Sequence, residues 1–155
     1  MSANFLVLGE YPLQVKIGQV KQNSPWQPFR WEVLDMAPVD VPMAGTESSS
    51  IQVTKFQVFQ DELQGYFLNL DSDKPCVFFL LRYPDDNKTL QPTVFEATVS
   101  YDEAVRWMDS NEEVQTLPMP TAMAKWLAEL VDARYKPEPK KRARPQSFVS
   151  PDKRG

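Results

Sequence analysis

Fourteen prolines in 155 residues set the first limit on what this chain can fold into. Proline interrupts helix interiors and is confined to strand edges, first turns and loops. Its frequency here is about twice the usual ~5%, so long helices are excluded over most of the chain. The body is expected to be short strands with few helices.

Periodicity fills in that frame. Leu13, Val15 and Ile17 alternate with Gln14 and Lys16, as in a strand buried on one face. A second strand is expected near Phe29–Met36, after the turn Asn23-Ser24-Pro25. A third fits Ile51–Phe59, where the apolar phase slips between Val53 and Phe56 and suggests a bulge. Residues 37–50 between them read as a long loop, expected to be disordered. Cys76–Tyr83 is nearly all apolar, the pattern of a strand buried on both faces. Pro84-Asp85-Asp86-Asn87 is a turn, after which Thr93–Val99 pairs back as a hairpin. Glu113–Leu117 is a further short strand.

Two helices are expected near the C-terminus. Ser100-Tyr101-Asp102-Glu103 is a capping box, with Tyr101, Ala104, Val105 and Met108 on one apolar face. Pro120 suits a helix start, and Met123, Trp126, Leu127, Leu130 and Val131 form its apolar stripe. Pro137 and Pro139 end that element. The fold class is therefore α+β: an antiparallel sheet of five to six short strands, open or partly closed into a barrel, packed by two C-terminal helices.

Charge divides the chain at its end. Residues 1–135 carry ten Lys/Arg against nineteen Asp/Glu, a net −9, and residues 136–155 carry seven against two, a net +5. The reading is one domain over 1–135 and a disordered basic tail over 136–155, with Lys140, Lys141, Arg142 and Arg144 at its centre. The tail reads as a tether, or as a polyanion or nucleic-acid binder. No apolar run approaches the ~20 residues of a membrane helix, and the apolar start lacks a basic leader. A cytoplasmic location follows as the default, with no membrane partner.

Chemistry is bounded by what is missing. With one cysteine and no histidine, the chain holds no Ser-His-Asp or Cys-His nucleophile, no usual Cys/His zinc site and no internal disulfide. Its five glycines form no phosphate-cradling loop. The acidic pairs Asp61-Glu62, Asp85-Asp86, Asp102-Glu103 and Glu112-Glu113 fall at turns or helix ends, and read as solvated turns and caps. Cys76 reads as a packing residue. No catalytic group, metal or cofactor is implied, and the chain is expected not to be an enzyme. Trp26, Arg30 and Trp31, with Arg82 at the end of the apolar strand, are the candidates for a partner face, since Trp and Arg dominate binding hot spots. The alternative is a core position for Trp31 and a covering role for Trp26. Arg82 reads equally as a salt-bridge partner or a site for an anionic group.

The chain resembles a bacterial family, the domain-of-unknown-function family 3305, over about residues 11–145. Ser24-Pro25-Trp26, Arg30-Trp31 and Val33 carry the first part, then Glu62, Tyr66, Asn69-Leu70, Pro75, Val77-Phe78 and Leu81-Arg82. The most specific stretch is Thr98, Ser100, Glu103-Ala104, Asp109-Ser110, Glu113-Val114, Pro118-Met119-Pro120, Trp126 and Val131, followed by the Lys/Arg stub. Where that family's first strand commonly ends in an acidic-basic-basic run, this chain has Gln19-Val20-Lys21. The resemblance implies a setting beside molybdenum-dependent formate dehydrogenases and their accessory proteins. It implies a non-catalytic adaptor assisting assembly or cofactor loading, with a formate dehydrogenase subunit or a cofactor-biosynthesis protein as partner. A label of molybdopterin-guanine dinucleotide synthesis attached to some members does not suit these residues, which lack the glycine-rich phosphate loop.

Overall fold

The computed structural model describes residues 6–46 and 48–136. The alternation at Leu13–Ile17 continues well beyond those residues. Strand β1 spans Val7–Lys21 and lies between β2 (Phe29–Pro38) and β3 (Ser49–Phe59), antiparallel to both. Leu13, Val15 and Ile17 are fully buried. Pro12 sits inside this central strand without breaking a ladder. Pairing with β2 begins only at Leu13↔Pro38, so at Pro12 the strand has a free edge for the missing N–H to face.

The second half builds a separate sheet. Strand β4 (Cys76–Arg82) lies between β5 (Thr93–Thr98) and β6 (Glu113–Pro118), again antiparallel. As expected of its continuous apolar run, β4 is buried on both faces: Val77, Phe79 and Leu81 enter the main core, and Phe78 and Leu80 are buried on the opposite side. The main core draws on both sheets, with β2 running beside β6 and β3 beside β5.

The expectation of one sheet, open or partly closed, is thus corrected: the described residues form two three-stranded sheets and no closed barrel. Neither seam is closed by a ladder. Each is bridged by one glutamine that uses both ends of its amide. Gln52 on β3 donates to Pro92 O and accepts from Val94 N–H, both at 2.9 Å. Gln115 on β6 accepts from Val33 N–H at 2.8 Å and donates to Trp31 O at 3.1 Å. An amide offers a donor and an acceptor, as a peptide group does, so these side chains supply edge-strand partners where the backbones do not pair.

Among the described residues three α-helices complete the fold, one more than expected. Helix α1 (Leu63–Leu70) follows a single 3₁₀ turn at Gln60–Glu62, α2 is Tyr101–Asp109 and α3 is Thr121–Asp132. Leu63, Tyr66, Phe67 and Leu70 have helical spacing, yet α1 is short, has Gly65 inside it and lacks a side-chain cap. Its glycine is required by a close approach: a methyl group there would lie 2.1 Å from Ser100 Oγ. Asn69 ties the end of α1 to the second sheet, donating to Cys76 O at 2.8 Å and Val99 O at 2.9 Å and accepting from Cys76 N–H at 3.1 Å. Tyr66, fully buried, accepts from Phe59 N–H at 2.8 Å. Helix α3 buries Met123, Leu127 and Val131, while Trp126 meets Tyr11 and Phe56 edge-on. It ends at Asp132, ahead of the prolines expected to stop it.

Smaller features complete the picture. The loop between β2 and β3 is tied down: Gln14 Nε2 donates to Pro38 O at 2.9 Å and also to Val41 O. These bonds fasten the start of the loop to β1. No register shift falls between Val53 and Phe56; the phase slips because the polar residues Gln52 and Thr54 occupy positions in phase with the buried Phe56 and Val58. The one shift against β3 lies between Val7 and Gly9. On α2 only Ala104 of the expected apolar face is buried, and Tyr101 and Met108 are exposed. Of the basic tail only Lys136 is among the described residues, and Lys140, Lys141, Arg142 and Arg144 lie outside them. Among the described residues no helix is long and apolar enough to cross a membrane.

Candidate partner-binding groove

The four candidates converge on one surface. Trp26 lies on the loop joining β1 to β2, Arg30 and Trp31 on β2, and Arg82 at the end of β4. Trp26 and Trp31 line a shallow depression of about 170 Å³ with Phe29 and Lys88. Arg30 and Trp31 line the next, about 230 Å³, with Tyr83, Lys88 and Glu113. Arg82 lines a third, about 220 Å³, which shares Tyr83, Lys88 and Glu113 with the second. The three run together as a groove along the β2–β6 seam, with Lys88 common to all. Each is smaller than the ~300–1,000 Å³ of a typical small-molecule site.

The two tryptophans separate. Trp31 is half-buried against the core and its indole N–H donates to Thr89 O at 3.3 Å. Trp26 is 87% exposed, so the covering role considered for it is corrected. Its loop is pinned rather than loose. Gln22 N–H donates to Pro28 O at 2.7 Å, Gln22 Nε2 donates to Gln27 O at 2.7 Å, and Gln27 N–H donates to Ser24 Oγ at 3.3 Å. Trp31 fastens the neighbouring strand to the loop after β4. A large apolar side chain is thus held in water by a hydrogen-bonded frame.

Each of the three cations of the groove is ion-paired, while Asp86 in the third depression is in no ion pair among the described residues. Arg30 pairs with Glu32, Lys88 with Glu113 at 3.2 Å, and Arg82 with Glu112 at 2.7 Å. Arg82 is thus a salt-bridge partner, and it also stacks over the Phe95 ring at 3.9 Å. Glu113 accepts from Tyr83 Oη at 2.9 Å and Gln115 Nε2 at 3.1 Å. Burial and that carboxylate hold the Tyr83 phenol well above its ordinary range. Lys88 was not among the sequence candidates. It follows a turn, and no local pattern marks a residue brought to the groove by the β4–β5 connection.

The acidic pairs do not behave alike. Asp85 and Asp86 form a turn in which both take positive φ, a conformation Asp tolerates. Glu62 and Glu103 instead belong to a polar network at the start of α2. Ser100 is the N-cap and accepts from Glu103 N–H at 3.1 Å. Its hydroxyl donates to Glu62 Oε1 at 2.7 Å, and Arg106 holds the other Glu62 oxygen. The return half of the capping box is rerouted: Ser100 N–H donates to Thr98 Oγ1 at 3.1 Å, and the Thr98 hydroxyl donates to Glu103 Oε1 at 2.6 Å. Burial raises the Glu103 carboxyl above its ordinary range, and the charges of Glu62 and Glu96 add to the shift. Ser100 is fully buried and reaches no solvent. Burial likewise pushes the Cys76 thiol up, away from the reactive thiolate.

No curated protein and no solved structure matches the chain. One family model does, over residues 12–144, and it covers the groove, the α2 network and both sheets apart from the start of β1. The chain belongs to the family described as protein of unknown function DUF3305.

Proposed function

We propose that the protein is a non-catalytic adaptor and that the groove centred on Trp26 is its partner face. The observation that carries this reading is the exposure of Trp26, 87%, on a loop fixed by its own hydrogen bonds. An indole so exposed adds little packing energy to the chain, and tryptophan is among the residues most enriched where binding energy concentrates. The small volume of each depression favours a protein segment lying across the groove over an enclosed small molecule. The proposed partner is a subunit of a molybdenum-dependent formate dehydrogenase or a protein that loads its cofactor, and a cytoplasmic setting goes with it. That identity rests on the family context alone.

The test is a pull-down from lysate of the source organism with two baits, the intact chain and one ending at Tyr135, read by mass spectrometry. Recovery of a formate dehydrogenase subunit or a cofactor-biosynthesis protein by both baits supports a contact made by the body. Recovery that is lost with the tail and with nuclease treatment transfers the function to polyanion binding by the tail.

A further inference from the structure

The outer face of α2 and the basic tail are two features that the groove does not use. On α2, Tyr101, Val105 and Met108 recur at the i, i+4, i+7 spacing of one helix stripe. Such a stripe is normally buried, yet Tyr101 and Met108 are 48% and 47% exposed. Leu68 is exposed as well, one turn past Gly65, where α1 meets Ser100. Asp102 and Asp109, seven residues apart, run beside the stripe.

Charge on this side is one-sided. Residues 60–75 and 100–110 carry seven Asp/Glu against Lys74 and Arg106, a net −5. Arg106 is committed to Glu62. Asp61, Asp71, Asp73, Asp102 and Asp109 are in no ion pair among the described residues. The end of α3 is balanced, Glu129 and Asp132 against Arg134 and Lys136. Residues 137–155 carry six Lys/Arg against two Asp/Glu, a net +4, and their only large apolar residues are Phe148 and Val149.

The described chain stops within reach of this face. Tyr135 packs on Phe67 of α1, with ring centroids 5.3 Å apart, and α1 packs against both α3 and α2. Two helix-to-helix steps amount to about 20 Å. The twelve residues from Lys136 to Phe148 span up to about 40 Å when extended and about 20 Å as a coil. We propose that the α2 face is the docking site of this chain's own tail. Phe148 and Val149 sit on Tyr101 and Met108, and Lys140, Lys141, Arg142 and Arg144 face the unpaired aspartates of α2 and those flanking α1. Exposed ion pairs are weak singly, but the tether supplies an effective concentration near millimolar. The inference is independent of the groove at the β2–β6 seam. A docked tail also withholds its cations from polyanions.

The test compares amide NMR spectra of the intact chain and a full-length variant with Lys140→Gln, Lys141→Gln, Arg142→Gln and Arg144→Gln. All four changes lie outside the described residues. The expected result is shift differences at Leu68 and along Tyr101–Asp109 that are unchanged on dilution. They should be lost in about 1 M salt, where the screening length is about 3 Å. Phe148→Ala should move Tyr101 and Met108 most. Spectra that agree over residues 60–75 and 100–110, or differ chiefly around Trp26, overturn the proposal. Differences that fade on dilution give the face to the tail of a second copy and overturn docking within one chain. A Phe148→Ala spectrum identical to the parent's on α2 overturns the apolar seat.

Discussion

The Trp26 ledge and the junction of α1 with α2 are built from similar materials, polar loops beside aromatic residues, and they treat exposure in opposite ways. At the junction the polar atoms of Glu62, Ser100, Thr98 and Glu103 are linked to one another, and Gly65 leaves no room for a single methyl group. At the ledge a comparable set of hydrogen bonds holds the loop, yet the side chain it carries stays in water. Packing accounts for the residues of the junction. It does not account for Trp26. The contrast separates residues kept for the fold from one whose surroundings point outside the chain.

Substitutions at the two places should differ in size. The largest effect is expected for Asn69→Leu, which leaves Cys76 O, Val99 O and Cys76 N–H without their partner. At about 1–3 kcal/mol for each buried group left unpaired, the loss should reach about 3 kcal/mol or more. Denaturant unfolding measures it, and a loss under about 1 kcal/mol would show that those groups find water instead. Gly65→Ala comes next. Alanine gains about 1 kcal/mol of helix propensity, but its methyl would overlap Ser100 Oγ at 2.1 Å. A net loss of about 2 kcal/mol is expected from overpacking, and an unchanged or raised melting temperature would contradict the close approach. Ser100→Ala removes the cap of α2 and a partner of Glu62, for about 1–2 kcal/mol.

Glu103 adds a test by pH. Its carboxyl is raised in the folded protein, so the native state binds more protons than the unfolded one above the ordinary value near 4.5. Its contribution to stability is present below that value and is lost as pH rises through the raised folded value. Glu103→Gln keeps an acceptor for Thr98 and removes the charge. That variant should show a flatter stability profile from about pH 4.5 upward, measured by urea unfolding at several pH values. A profile as steep as the parent's would place the titration elsewhere. The smallest expected effect on stability belongs to Trp26→Ala, within about 0.5 kcal/mol, as for an exposed residue outside the packed interior.

What the sequence shows follows the same division. Alternation finds the buried core of β1 and the strand after it, because one buried face imposes a period of two, while β4 is found by its continuous apolar run, buried on both faces, and β5 by the turn that precedes it; β3 and β6 are found to within two residues of their bounds. The capping box at Ser100 is legible for the same local reason. Helix α1 is obscured by Gly65, whose purpose lies across space at Ser100. Gln52 and Gln115 bridge the seams between the two sheets, and nothing near either residue in sequence marks that role. Trp26, Arg30, Trp31 and Arg82 can be picked out by residue type, but their convergence on Lys88 is a product of topology. Type alone also could not assign Trp31 to the edge of the core and Trp26 to solvent.

The most direct test of the partner face is quantitative capture of partner by Trp26→Ala beside the parent protein, at equal folded fraction set by thermal melting. The account expects recovery to fall about tenfold or more while the melting temperature moves by no more than about 2 °C. Equal recovery from the two proteins, or a fall in recovery that merely follows a large loss of stability, would contradict it.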